Sequence, residues 1–165
     1  MRRSKADALD AYIDPKDLSA STSRLLIWQA LNAYSVKALI PMLSDPEIEV
    51  STTAARLLQV RGDRTVWGLA RKLCAAKSIR ERVIGLFILG QLGTPRLPYK
   101  LQTLDLIASL LSHRQPTIIV EQALYSIGHL RQGQPLEHGA LLKRIATLKV
   151  RKGSDLATAK AFALR

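Results

Sequence analysis

Three similar stretches occur along the chain, and this repetition constrains the fold more than any single residue does. It reads "AARLLQVRGD" at 54–63, "LFILGQLGTP" at 86–95 and "LYSIGHLRQG" at 124–133. Aligned at their ends, Leu58 matches Leu89 and Ile127, at offsets of 31 and 38 residues. Self-similarity at such a period is typical of stacked helical hairpins.

Each copy closes a segment that reads as two apolar helices joined by a polar turn. The hairpins are predicted at about 36–63, 66–95, 98–133 and 136–165. Because one hairpin cannot bury both of its faces, neighbouring hairpins must stack and share a core. We therefore predict an all-α fold, a right-handed α-α superhelix of about four hairpins.

Apolar residues at helical spacing give the expected buried faces of these hairpins. Three helix starts are also expected: Pro46 at the first helical position of "SDPE", Pro98 at the start of the third hairpin, and Ser154 as the cap of the last helix. The predicted inward positions are Val36, Leu39, Ile40, Leu43, Val50, Ala54, Leu57, Leu58, Ile79, Val83, Leu86, Phe87, Leu89, Leu101, Leu104, Ile107, Ala108 and Leu111.

The two ends of the chain are expected to differ from the hairpins between them. Residues 1–20 form a polar extension, and 21–165 form a single repeat domain. Within it, 21–34 is predicted as a helix that caps the stack. Its buried side would carry Leu25, Ile27, Trp28 and Leu31. At the other end, Phe162 and Leu164 would need a further hairpin or a partner to cover them.

Composition narrows the class of protein. Acidic residues at Asp7 and Asp10 interrupt the place where a secretory apolar core would lie, and no apolar run is long enough to span a bilayer. We expect a soluble, cytoplasmic protein. The lone Cys74 falls on an apolar helical face, which predicts a buried side chain and no reactive thiol.

The net charge of +12 is unevenly distributed along the chain. Residues 1–63 carry eight basic and eight acidic side chains, whereas 64–165 carry 17 basic and five acidic ones. Such an excess favours an acidic or polyanionic partner, bound through the C-terminal two thirds.

The hairpins resemble HEAT-type repeats. The segment "LIPMLSDPEIEVSTTAARLLQVRGD" has their apolar helix, Asp-Pro turn and Ala-rich second helix. More narrowly, "AARLLQVRGDRTVWGLARKLC" and "IRERVIGLFILGQLG" resemble bacterial HEAT-repeat proteins encoded beside Rhs polymorphic-toxin genes, which are described as immunity proteins. This likeness covers about residues 36–93. It implies a scaffold or adaptor that binds a protein.

Two groups of enzymes with HEAT-like folds suggest which catalytic residues a chain of this kind could carry. Deoxyhypusine hydroxylases hold a metal through repeated His-Glu dyads, but here His113, His129 and His138 offer one reversed Glu137-His138 pair. We expect no metal, cofactor or catalytic residue. HEAT-like alkylpurine DNA glycosylases have a basic concave face, and a repair enzyme of this kind is the third and weakest alternative.

The turns inside the hairpins are predicted to line up along one edge. Helix N-termini carry partial positive charge, so basic side chains there would reinforce a site for anions. The competing explanation is that exposed turns carry Lys and Arg for solubility. The charge of this edge would change from negative to positive along the chain, because the turn of the first hairpin is acidic, with Asp45, Glu47 and Glu49. The candidate partner-binding residues are Lys77, Arg80, Arg82, His113, Arg114, Lys149, Arg151 and Lys152.

The sequence thus predicts a non-enzymatic HEAT-like scaffold that binds a protein with an acidic surface, in a setting that includes toxin immunity. An inhibitor that imitates a nucleic acid would be acidic, so a toxin target should itself present acidic groups. The alternative is a nucleic-acid-binding module that uses the basic turns in a salt-sensitive, sequence-indifferent way.

Overall fold

A computed structural model describes residues 20–111, 114–135 and 137–165, and all regular structure in these residues is helical. The prediction of an all-α fold is confirmed. The described residues divide into two compact bodies, one that ends at Ala54 and one that begins at Ala55, and each is described by itself. The handedness of the superhelix and the grouping of 21–165 into one domain stay predictions.

The N-terminal body includes two helices and a 3-10 turn that begins at a proline. Helix α1 is Ala20–Asn32 and α2 is Val36–Leu39, which is followed by a 3-10 turn at Pro41–Ser44. The helical spacing predicted from Val36 to Leu43 is interrupted at Pro41, because proline has no N–H to donate and its ring clashes with the preceding turn. Leu43 is nonetheless buried.

Two further expectations in this body are corrected. Leu25 is 57% exposed, whereas Leu31 is buried, so the inward face of α1 is narrower than predicted. Helix α3, Ile48–Arg61, begins two residues after Pro46. Pro46 therefore lies in the turn, where the Asp45 side chain accepts a hydrogen bond from the Glu47 N–H at 2.9 Å. Such an Asx turn offers the backbone an alternative to the first helical turn.

The C-terminal body contains the end of α3 and six further helices, in the part of it that the structure describes. Side chains of Asp63, Ser78, His138 and Ser154 accept N–H bonds at the starts of α4, α5, α8 and α9, and the predicted Ser154 cap is confirmed. The helices are α4 Arg64–Cys74, α5 Ile79–Gly90, α6 Lys100–Leu110, α7 Thr117–Arg131, α8 Gly139–Thr147 and α9 Asp155–Leu164.

These six helices pair as α4 with α5, α6 with α7 and α8 with α9. The second helices, α5, α7 and α9, pack on one another in chain order and form a continuous row. The aligned positions Leu58, Leu89 and Ile127 are all fully buried. The recurring apolar stretch is therefore the core-forming part of each second helix, as its spacing predicts.

Close backbone approaches join α5 to α4 and to the end of α3. A Cβ on Gly85 would lie 2.8 Å from the Ala70 carbonyl oxygen, so α5 crosses α4 with no room for a side chain. Gln59, at the end of α3, is buried and donates through Nε2 to the Phe87 carbonyl of α5. Its own carbonyl accepts from the Gly93 N–H at 2.8 Å. Polar groups between layers are thus satisfied by the next layer.

Two residues predicted to point inward are on the surface. Ile79 is 46% exposed and Leu101 is 68% exposed. Both lie in the first two residues of their helices, ahead of the turns that meet a neighbouring helix. Helix α6 also begins at Lys100, two residues after Pro98, so this proline precedes the helix.

Candidate partner-binding edge

The structure places the described candidate residues in equivalent segments of three hairpins. Lys77 lies in the turn before α5, and Arg80 and Arg82 lie in the first turn of α5. Arg114 precedes α7, while Lys149, Arg151 and Lys152 precede α9. All are exposed except Arg82, which is half-buried. His113 lies outside the described residues. We call the other seven residues the basic edge.

A hydrogen bond joins the first two parts of the basic edge. Arg82 Nη2 donates to Gln115 Oε1 at 2.6 Å, between the first turn of α5 and the turn that precedes α7. Gln115 is next to Arg114 in the chain, and Arg80 is in the same helical turn as Arg82. The segments that begin α5 and α7, which carry Lys77, Arg80 and Arg114, are therefore adjacent.

Two carboxylates lie near each other at the starts of α7 and α9. Glu121 is near the start of α7, Asp155 is the first residue of α9, and the two helices pack on each other. Burial, and then the charge of Asp155, raise the pKa of Glu121. The turn with Lys149, Arg151 and Lys152 precedes α9, and its alignment with the other basic turns stays a prediction.

The charge of this side is mixed. Glu81 is exposed in the first turn of α5, and Glu121 and Asp155 lie between the third and fourth hairpins. The acidic turn of the first hairpin belongs to the N-terminal body, so the predicted change of sign along the edge stays a prediction. The starts of the second helices therefore carry side chains of both signs, with basic ones in the majority.

Sequence reasoning missed an apolar component of this side. Ile118, the second residue of α7, is 52% exposed, and Ile79, the first residue of α5, is 46% exposed. Periodicity alone assigned Ile79 to the core, since it falls on the same helical stripe as Val83 and Leu86. Its position directly after the Ser78 cap was the signal that it stands ahead of the packed turns.

Several basic side chains away from this edge have internal roles. Arg71 lies 4.6 Å above the centre of the Trp67 ring, which stacks on Tyr99. Arg131 is buried and donates to the Gln134 carbonyl oxygen at 2.8 Å. Part of the positive charge of the C-terminal body therefore stabilises the fold and is not arranged for binding.

Groups that could support chemistry are dispersed or buried. Cys74 is 2% exposed, and burial raises the pKa of its thiol to about 12, so the side chain is a neutral buried hydrophobe, as predicted. His138 contacts Asp105 at 3.1 Å and accepts the Leu141 N–H through Nδ1. In the described residues no three His, Cys, Asp or Glu side chains converge as a metal site would require.

Comparison with known proteins relates this chain to one solved structure. It is similar to the X-ray structure of the Escherichia coli protein YibA, with a TM-score of 0.73 and 21% sequence identity. The match covers 85% of this chain and 51% of YibA, so the chain spans about half the length of that protein. At this identity the likeness shows the fold alone. No protein-family model matches the chain, and no curated protein matches it significantly.

One finding bears on membranes. Over the residues that the structure describes, none of the helices has the length and the apolar character that crossing a bilayer would need.

Proposed function

We propose that this protein is a non-enzymatic, HEAT-like α-solenoid scaffold that binds a protein partner with an acidic surface through the basic edge. The Arg82–Gln115 hydrogen bond is the observation that carries the proposal. It joins the first turn of α5 to the turn before α7, and we propose that one partner surface spans these two adjacent segments and contacts Lys77, Arg80 and Arg114. Cytoplasmic toxin immunity, suggested by the resemblance to Rhs-linked proteins, is a setting in which such binding would serve as inhibition.

The composition of the edge favours a protein over a nucleic acid. Exposed Ile79 and Ile118 lie among the basic residues, and phosphate groups gain nothing from them. Glu81, exposed in the same turn as Arg80, would repel a uniformly charged phosphate backbone. Interfaces between proteins combine apolar centres with charged rims, which is the composition found here.

Binding without catalysis agrees with the placement of the acids. The buried polar side chains among the described residues are Ser51, Thr53, Gln59, Thr103, Ser126 and Arg131, none of which is a carboxylate. A catalytic carboxylate in a glycosylase-like site would be held in a cleft among polar neighbours.

The proposal is tested by reversing charge on the edge. In the variant Lys77→Glu/Arg80→Glu/Arg114→Glu, we expect capture of acidic proteins from a lysate of the source cells to be lost, because attraction becomes repulsion. Crosslinking followed by quantitative mass spectrometry measures the captured set.

The matched control changes net charge equally on the first helices of the hairpins. Arg64→Glu/Lys72→Glu/Lys143→Glu, at three exposed positions, should capture the same proteins as the unmodified chain. Equal loss in both variants would contradict a specific edge. Micromolar binding of duplex DNA that weakens steeply with salt, and vanishes only in the edge variant, would favour the nucleic-acid alternative.

A further inference from the structure

The N-terminal body presents an acidic segment on its surface, at the start of α3. Residues 45–49 read "DPEIE", and we call them the acidic turn. Glu47 is exposed, and Ile48 is 72% exposed, more than any other large apolar side chain among the described residues. The Asp45 carboxylate accepts the Glu47 N–H at 2.9 Å, which shapes the backbone just before the helix. The acidic turn is therefore an ordered feature that another molecule can reach.

The acidic turn and the basic edge are opposite in charge. Residues 45–49 contain three carboxylates and no basic side chain, whereas 77–82 and 114–118 together contain four basic side chains and one carboxylate. Each of these three segments also has an exposed isoleucine. Elsewhere in the described chain, no two carboxylates lie within five residues of each other in sequence. The acidic turn is thus the segment of this chain that best matches the partner expected at the basic edge.

We infer that the basic edge binds the acidic turn of a second copy of this chain. The carboxylates of Glu47 and Glu49 in one copy contact the basic side chains at the starts of α5 and α7 in the other, two segments that the Arg82–Gln115 hydrogen bond holds together. Surfaces of opposite charge guide such contacts and set their specificity. The inference rests on the proposed function and adds to it the identity of one partner.

The net charge of +12 opposes contact between two copies, and salt reduces this repulsion. At about 0.15 M salt the Debye length is about 8 Å, so charges farther apart than this are largely screened. Groups in direct contact are screened less. We therefore expect association to be measurable near this salt concentration and to weaken at about 1 M salt, where the Debye length is about 3 Å.

Sedimentation velocity of the full chain tests the inference. From about 1 µM to about 100 µM, a range in which contacts of modest affinity become populated, the average mass should rise with concentration at about 0.15 M salt. Glu47→Lys/Glu49→Lys and Lys77→Glu/Arg114→Glu should each weaken self-association by about tenfold or more, because like charges then face each other.

Mixing the two variants provides the decisive measurement. The first variant keeps an intact basic edge and the second keeps an intact acidic turn, so the mixture should associate although neither variant does so alone. Recovery in the mixture would also show that both variants are folded. The control Arg64→Glu/Lys72→Glu changes net charge as much as Lys77→Glu/Arg114→Glu does, at exposed positions of α4, and should leave self-association within about twofold.

The outcomes distinguish this inference from the proposed function. A chain that stays monomeric at every concentration, or that associates equally well in both variants, would overturn the contact between copies and leave a different acidic protein as the partner. Failure of the mixture to associate would do the same. If Lys77→Glu/Arg80→Glu/Arg114→Glu captures the same acidic proteins as the unmodified chain, the basic edge has no binding role and both proposals fail.

Discussion

The α5–α7 and α7–α9 contacts use a glycine at the same repeat position but place different neighbours against it. At the first, a Cβ on Gly90 would lie 2.9 Å from the Ser126 Cα, so backbone meets backbone. At the second, a Cβ on Gly128 would lie 2.2 Å from the Phe162 ring, so a side chain fills the space. One repeat position thus supports two kinds of contact. We expect the two contacts to differ in how easily they accommodate an added methyl group.

Polar groups reinforce the difference between the two contacts. Ser126 Oγ donates a hydrogen bond at 2.8 Å to the Leu86 carbonyl oxygen, deep in the α5–α7 contact. In the α7–α9 contact, Phe162 lies 5.2 Å from the His129 ring and 6.0 Å from the Tyr125 ring, measured between centroids. The first contact brings two backbones together beside a buried hydroxyl group, whereas the second is aromatic and partly exposed.

The largest effect is expected at Gly90. Gly90→Ala should lower the free energy of unfolding by about 3 kcal/mol, because the methyl group forces two helix backbones apart. Urea unfolding measures the loss. Gly68→Ala is the control, since a Cβ on this helical glycine would meet nothing within 4 Å. It should stabilise by up to about 1 kcal/mol through helix propensity. An unchanged free energy of unfolding in Gly90→Ala would show that the α5–α7 contact accommodates the methyl group easily.

A second effect belongs to the α7–α9 contact alone. Arg131, which is 5% exposed, donates through Nη1 to the Ala163 carbonyl oxygen in the last turn of α9, at 3.1 Å. Arg131→Met should cost about 2 kcal/mol, since a charge-assisted hydrogen bond is lost and the carbonyl stays buried. Arg56→Met, at an exposed position in the same body, should change stability by less than about 0.5 kcal/mol. Equal effects in urea unfolding would contradict this account.

A second substitution at each contact tests whether the lost stability can be recovered. Gly128→Ala should cost about 1 kcal/mol, less than Gly90→Ala, because the Phe162 ring can rotate away. Adding Phe162→Leu should recover part of this loss, which a double-mutant cycle would record as coupling. Adding Ser126→Gly to Gly90→Ala should recover little, since the Ser126 Cα remains. Rescue at both sites, or at neither, would make the two contacts equivalent.

The smallest effect depends on pH. Burial lowers the pKa of His129 from its ordinary value of 6.5, so the folded state favours the neutral ring. The stability linked to this neutral ring is complete above about pH 6.5 and is lost as the pH falls from there through the lowered pKa of the folded state. The melting temperature should decline slightly between pH 7 and 5, and His129→Gln should decline less. An identical decline would remove His129 as its cause.

Helix content and the buried repeat positions followed from the spacing of apolar residues, as Leu58, Leu89 and Ile127 show. The cap at Ser154 followed from local chemistry, because a side chain three residues from an N–H needs no tertiary contact to bond it. Errors arose at helix starts. Ile79 and Leu101 fit the helical spacing of apolar residues. That spacing does not show which turns of a helix are covered by a neighbouring helix.

The spacing of apolar residues is enough to predict helical hairpins with a shared apolar core. The composition shows an excess of positive charge in about the last hundred residues. Those properties depend on residue type and short-range spacing. Only the tertiary structure decided that Arg82 reaches Gln115 and that Gly128 lies under Phe162. These pairs are more than 30 residues apart, and the distance between them is set by the packing of whole helices, which no local pattern encodes.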